Sequence, residues 1–249
     1  MAATRPASHS GTRGKSNAKL RKRASSSTAS GGRKPSQRDE STRRRIIHAA
    51  AGIYRECGYE RAGMIDIARR VGMTAPALYW YFRSKEDILL AFLEHTIADL
   101  IQFVRSLVRA EAPGQRLWEF IHAYALWQLQ QQELSAAYER IYALGHLRNS
   151  LPEKQRQRVT SLERAFYEMC RDLIADAQGR PKGDATVAPV AFATIGMVEH
   201  LITWFRLSGG MSVEQIAALY ANLGVAMAAA VPAPAGKTRK AAAAKWAVA

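Results

Sequence analysis

Two short runs, Met64–Val71 and Thr74–Phe82, flank the dipeptide Gly72-Met73. Both have helical spacing, and neither is long enough to persist as a helix alone in water. A chain that contains them must pack them, and the tight link restricts how. On the first run Ile65, Ala68 and Val71 recur at three-residue intervals. Gly72 ends it, Thr74 supplies a cap for the second, and Pro76 falls in that helix's first turn, where its missing N–H is not needed. The spacing predicts two short helices joined by a turn, as in a helix-turn-helix.

The second run carries four adjacent aromatic residues, Tyr79, Trp80, Tyr81 and Phe82. Successive side chains on a helix point about 100° apart, so the four cannot share one core. Leu78 and Phe82, four apart, are expected to form the buried face. The Tyr79 hydroxyl and the Trp80 indole N–H then remain to donate to phosphates or bases, while Ala75, Pro76 and Ala77 approach base edges. Lys85, together with the N–H groups of the helix that starts after Ser84, makes an anion site suited to backbone phosphate. The hydroxyl of Thr74, and Arg43 and Arg44 at the start of the first helix, are further candidate phosphate contacts.

Strand signals are almost absent elsewhere, and the fold class expected is all-α. Ser41 and Thr42 offer caps for a first helix, whose apolar positions Ile46, Ile47, Ala50, Ile53 and Tyr54 recur at helical spacing and which Gly58 ends. Ser84-Lys85-Glu86-Asp87 resembles a capping box and opens a long helix to about Val108. Further helices are expected over 115–131, 134–147, 153–177 and 186–207. A capping box at Ser212-Val213-Glu214-Gln215 opens a last one, to about Ala230. The pattern divides into a helix-turn-helix unit over 39–92 and a larger helical bundle over 93–231.

The net charge of +15 belongs mostly to the ends. Residues 1–38 hold ten Lys or Arg and no acid, and residues 232–249 hold four and no acid, which leaves a body with one more base than acid. Both ends are nearly empty of large apolar residues and are expected to be disordered basic tails that attract phosphate without sequence choice. Cys57 and Cys170, far apart, suit a reduced, cytoplasmic setting rather than a disulfide framework. No run is expected to span a membrane; the most apolar, 217–231, is short and amphipathic. His122, His146 and His200 lack metal-ligand spacing. Motifs for a nucleophilic serine, a zinc protease or a phosphate loop are missing, so neither an enzyme nor a cofactor is expected.

Residues 41–90 resemble the N-terminal domain of TetR/AcrR-family transcriptional regulators. The matching stretch is RIIHAAAGIYRECGYERAGMIDIARRVGMTAPALYWYFRSKEDIL, with Asp66-Ile67-Ala68, Val71-Gly72, Leu78-Tyr79-x-Tyr81-Phe82 and Ser84-Lys85-Glu86 carrying the likeness. The resemblance implies phosphate contacts at Thr74, Tyr79 and Lys85, and groove-facing positions at Ala75, Pro76, Ala77 and Trp80. Gly63 stands where the family often caps the second helix with a hydroxyl residue, so it cannot offer that hydroxyl to phosphate. The recognition helix also begins without Arg, Lys, Gln or Asn, which favours apolar contact with thymine methyls and shape readout over bidentate base reading.

The resemblance further implies that the bundle binds a small-molecule effector and forms a homodimer through its last two helices. Ala217, Ala221, Gly224 and Ala228 are spaced for close helix approach there. The C-terminal sequence is similar to regulators that sense acyl-CoA or other lipid-like molecules. A largely apolar pocket is expected from Trp118, Phe120, Tyr124, Trp127, Tyr138, Tyr142, Phe166, Phe192 and Trp204, with Arg148, Arg164 and Arg171 as candidate anion partners. The function expected is a repressor, associated with nucleoid DNA, that its effector releases from a palindromic operator. A nucleic-acid binder driven by its basic tails, and a helical lipid-handling protein or enzyme, are the alternative readings.

Overall fold

The computed structural model describes residues 37–143, 145 and 150–230. The two tails up to residue 36 and from 232 on, together with His146 and Arg148, lie outside the described residues. Among the described residues every regular element is helical: α1 (Gln37–Cys57), α2 (Met64–Val71), α3 (Ala75–Tyr81), α4 (Lys85–Leu107), α5 (Pro113–Gln130), α6 (Gln132–Ala143), α7 (Glu153–Ala177), a 3-10 turn at Ala185–Val187, α8 (Ala188–Glu199), the short α9 (Leu201–Trp204) and α10 (Val213–Ala230).

Helix α1 begins before the caps expected for it. Ser41 and Thr42 lie inside the helix, and both hydroxyls donate back to the Arg38 carbonyl at 2.9 Å. That local bond replaces capping and lets the helix extend over Gln37 and Arg38, which were expected to belong to the tail. Two other expected starts hold. Ser84 accepts the Asp87 N–H at 3.1 Å, opening α4. At α10 the Ser212 hydroxyl accepts the Gln215 N–H at 3.2 Å while the Gln215 side chain accepts the Ser212 N–H at 2.8 Å, a reciprocal capping box. The run expected as one helix over 186–207 is instead broken at His200 into α8 and α9.

The apolar interior forms two clusters. The first joins Ile46, Tyr54, Ile67, Leu78, Phe82, Ile88 and Phe92 of α1–α4 with Leu134, Ala137 and Ile141 of α6. The second joins Ile97, Leu100 and Val104 of α4 with α5, α7, α8 and α10. Helix α4 therefore serves both, its first half in one core and its second half in the other. At about 1.5 Å per residue its 23 residues span about 34 Å.

Helix α10 lies along α5 with a tight crossing at Gly224. A Cβ there would stand 2.4 Å from Ile121 Cδ1 and 3.0 Å from Met197 Cε. Ala217, Ala221 and Ala228 are buried on the same stripe. These small residues face the chain's own α5, so the close approach they permit is internal. The open side of α10 carries Leu219 and Leu223 instead. Ala185–Trp204 and Val213–Ala230 are each apolar and long enough, by composition, to cross a membrane, which differs from the expectation for this region. Only a third or less of each is buried within the chain.

Candidate nucleic-acid interface

The turn between α2 and α3 is built on Gly72, which has φ +75°. Its N–H meets the Arg69 carbonyl at 3.1 Å, and the next N–H, of Met73, reaches the Ala68 carbonyl at 2.9 Å. This closure ends a helix in a left-handed residue, a conformation glycine adopts without a Cβ penalty. Arg45 donates to the Val71 carbonyl at 3.2 Å from α1, so a cation meets the negative end of α2. Thr74 then caps α3 by accepting the Ala77 N–H at 3.4 Å.

Helix α3 divides its aromatic run as its spacing requires. Leu78 and Phe82 are buried, whereas Tyr79 and Trp80 are 49% and 70% exposed. The Trp80 ring meets Tyr81 edge-on at 4.7 Å. Thr74 and Pro76 are exposed and Ala75 and Ala77 half-exposed, so the candidate groove-facing residues share the open side of the helix. On α2 two of the three expected positions, Ala68 and Val71, are buried as expected and one is not. Ile65 is 63% exposed, and Ile67, Ala68 and Val71 take the buried side. Gly63 precedes α2 in extended conformation and gives no side-chain cap; the Asp66 carboxylate folds back over it, 2.9 Å from where a Cβ would be.

Two of the candidate phosphate contacts are already engaged. Arg43 donates to the Tyr81 carbonyl at 2.6 Å and places its guanidinium 4.2 Å from the centre of the Phe82 ring. Lys85 donates to the Glu60 carbonyl at 3.0 Å and lies over the Tyr59 ring at 4.1 Å. Both bases bind the end of α3 and the start of α4 to α1 and the loop after it. Arg44 is exposed, with Glu40 4.0 Å away, and Arg83 is exposed between α3 and α4. Arg83 was overlooked in the sequence; a base in the link between the aromatic run and the next cap is the signal that marks it.

In the bundle, the candidate pocket residues differ in burial. Tyr124, Trp127 and Phe166 are buried; Trp118 and Tyr138 are half-buried; Tyr142, Phe192 and Trp204 are 45–47% exposed. Tyr124 packs against Phe166, and Phe120 stacks on Phe166. Tyr138 stacks on Tyr142, and Phe192 on Tyr167. Trp118 donates to Asn222 and Trp127 to Asp99. Two surface depressions, of about 330 Å³ between α1 and α2 and about 400 Å³ between α4 and α7, are lined by none of these aromatics. Arg171 is paired with Asp172, and Arg164 is exposed.

The polar groups beside these rings were not singled out in the sequence. Tyr124 donates to Glu199 at 3.3 Å and accepts from Gln128 at 3.2 Å. Tyr138 and Tyr142 both donate to Glu163, the latter at 2.9 Å. Burial, and then Glu199 beside it, push the Glu139 carboxyl up to about 7. Burial likewise raises Glu163 and Glu199. An acid such as Glu199 within an otherwise apolar run is the sequence signal that marks this group.

Comparison with known proteins places these features. Residues 46–92 match the family described as bacterial regulatory proteins, tetR family, and residues 110–228 match the family described as tetracyclin repressor-like, C-terminal domain. The HTH-type transcriptional activator FasR of Mycolicibacterium smegmatis is 36% identical over 104 residues, 41% of this chain and 46% of FasR. The chain thus matches less than half the length of that relative. Among solved structures, the TetR family transcriptional regulator PfmR from Thermus thermophilus superposes with a TM-score of 0.62 at 26% identity, covering 73% of this chain and 97% of PfmR. AibR, in complex with isovaleryl coenzyme A and operator DNA, superposes with a TM-score of 0.61 at 24% identity over 73% of this chain and 97% of its own, a likeness of fold.

Proposed function

This chain belongs to the TetR family of bacterial regulatory proteins, transcriptional regulators rather than enzymes, and on that premise we propose that it is a cytoplasmic, homodimeric repressor that a small, largely apolar effector releases from a palindromic operator. The observation that carries the reading is the split of α3. Leu78 and Phe82 anchor the helix, and Tyr79 and Trp80 are left open beside the exposed Thr74 and Pro76. An exposed indole and phenol on a short, firmly packed helix suit a surface with donors and apolar methyls, which the major groove offers. Thr74, Tyr79 and Arg44 take phosphates, and Ala75, Pro76, Ala77 and Trp80 face base edges. Lys85 reaches a phosphate by leaving Glu60, and Arg43 orients α3 from behind.

Dimerisation is supported by the apolar sides of α8 and α10. Phe192, Leu219 and Leu223 are 41–50% exposed in the single chain. A twofold partner covers them and sets two copies of α3 at a fixed spacing, the match a palindromic operator needs. The effector acts in the bundle, and α4 and α6 carry its effect because both reach the first core. The test is fluorescence anisotropy of the full chain at about 150 mM salt, with DNA flanking its own gene against a shuffled duplex. A preference of about 10³ supports the reading, as specific binders reach that range. Tight, equal binding to both duplexes would refute it in favour of binding by the basic tails.

A further inference from the structure

Four helices bring three carboxylates to one side of the bundle: Glu139 from α6, Glu163 from α7 and Glu199 from the end of α8, with α5 supplying Tyr124 and Gln128. Glu199 lies within electrostatic reach of both other acids. Among the described residues no Lys or Arg pairs with any of the three. Three acids that meet no counter-ion among the described residues, on a half-buried surface, repel one another, and a protein keeps such an arrangement at a cost unless something positive meets it. Acids alone do not identify a site. The second observation is Gln128, 5% exposed, whose Nε2 donates to Tyr124 at 3.2 Å and whose Oε1 finds no donor. A buried amide oxygen left without a donor is costly. The same amide is joined through the Tyr124 hydroxyl to Glu199.

The surroundings specify what would fit. Each missing partner is a donor or a positive charge, and none is an acceptor. The tyrosine hydroxyls are spent on carboxylates: Tyr138 and Tyr142 on Glu163, Tyr124 on Glu199. The Tyr138 and Tyr142 rings stack at 5.8 Å, and Tyr142 is 45% exposed, so an aromatic face stands at the open edge of the acidic group. Carboxylates next to tyrosine faces take an ammonium group well and an anion poorly.

We propose that the side of the bundle where α5, α6, α7 and the end of α8 meet binds an organic ammonium ion, its N–H groups directed to Glu139, Glu199 and the Gln128 Oε1 and its apolar body against the tyrosine rings. This rests on the reading of the chain as an effector-responsive regulator and narrows the effector class from lipid-like molecules in general to amines with an apolar body. Polyanionic head groups such as that of a coenzyme A thioester are excluded from this seat by the same three acids.

The test uses three probes of one chain length: octylamine, octanol and octanoate, titrated into the full chain at pH 7.5 by calorimetry. Octylamine is expected to bind at least 10-fold more tightly than either of the others. In the double variant Glu139→Gln/Glu199→Gln that preference is expected to fall to about twofold, with octanol unchanged as the control for a folded site. Gln128→Leu is expected to weaken octylamine alone. Failure of octylamine to bind, equal binding of all three, tighter binding of octanoate, or a preference that survives the double variant would each overturn the proposal. Anisotropy on DNA is read separately. Amine binding that leaves the protein on DNA sustains the site and sinks its effector role, whereas a protein that binds amine but no specific DNA sinks the regulator reading alone.

Discussion

Arg43 gives the sharpest test of how the recognition helix is held. The sequence suggested a phosphate contact, but the side chain donates to the Tyr81 carbonyl at 2.6 Å and covers the Phe82 ring at 4.2 Å. Hydrogen bonds from a charged donor contribute about 1.5–3 kcal/mol, and a partly solvated cation–π contact about 0.5–1 kcal/mol. Arg43 is only half-buried, so the low end applies, and Arg43→Ala is expected to cost about 2 kcal/mol. For a unit of this size that lowers Tm by about 4–8 °C. Arg43→Lys keeps the charge and one donor but loses the planar stack, and should recover about half. Circular dichroism melts measure this directly. The companion assay is the salt dependence of operator binding. A lost phosphate contact lowers the slope of log K against log salt by about 0.9, whereas a loosened α3 weakens binding and leaves the slope unchanged. An Arg43→Ala variant with the wild-type Tm and a slope reduced by about one would refute the reasoning and return Arg43 to the phosphate backbone.

Trp80→Ala and Leu78→Ala should separate function from stability on a single helix. Trp80 is 70% exposed, so its loss should stay within about 0.5 kcal/mol in stability, yet weaken operator binding about 10- to 100-fold; Leu78→Ala should cost about 2–5 kcal/mol by melt. Gly72→Ala places a Cβ on a residue at φ +75° and should cost about 1–2 kcal/mol, although nothing lies within 4 Å to clash, with a Tm at or above wild type counting against the strain argument. Glu139→Gln tests the acidic group through pH. Because the folded carboxyl is held up to about 7, it costs nothing below the ordinary value of 4.5, and the cost grows as pH rises through the folded value. The variant should therefore match wild type at pH 4.5 and exceed it by about 1–2 kcal/mol at pH 8 in urea titrations, after allowance for solvent screening; a gain of the same size at both pH values would refute this cause.

Punctuation made much of the molecule legible. Gly72, Thr74, Ser84 and the Ser212–Gln215 box mark their helix ends because capping is local chemistry between residues five or fewer positions apart. The split of Leu78 and Phe82 from Tyr79 and Trp80 was readable for the same reason, since helical phase alone decides it. On α2 phase picked out Ala68 and Val71 but missed the third anchor, because a run of eight residues offers Ile65 and Ile67 as competitors and only contact with α1 selects Ile67. It failed again at Ser41 and Thr42, whose hydroxyls can serve a cap or a bond back to Arg38 equally well. The roles of Arg43 and Lys85 were illegible because each partner, the Tyr81 carbonyl and the Tyr59 ring, lies at least 26 positions away. The burial of the candidate pocket residues was illegible for a similar reason. Aromatic residues on five helices look alike in sequence, and only packing separates the buried Tyr124 and Phe166 from the open Phe192 and Trp204.

The division of α4 and α6 between the two cores bears on how a bundle could control a groove-binding helix. Leu134, Ala137 and Ile141 of α6 belong to the core that holds α3, so α6 is as much a part of the DNA-facing unit as of the bundle. Polar contacts fix the same joint: Arg55 pairs with Glu133 at 3.7 Å, and Arg140 donates to the Arg55 carbonyl at 3.2 Å. On the same helix, one turn or less from Arg140, stand Tyr138, Glu139 and Tyr142 of the acidic group. A ligand that draws Glu139 toward α8 therefore pulls on the helix whose other residues anchor α1, and α1 holds α3 through Arg43. Because both cores are close-packed, the proposed amine site and operator reading together predict that α6 moves as a body rather than bending and that a shift at Glu139 changes the spacing of the recognition helices.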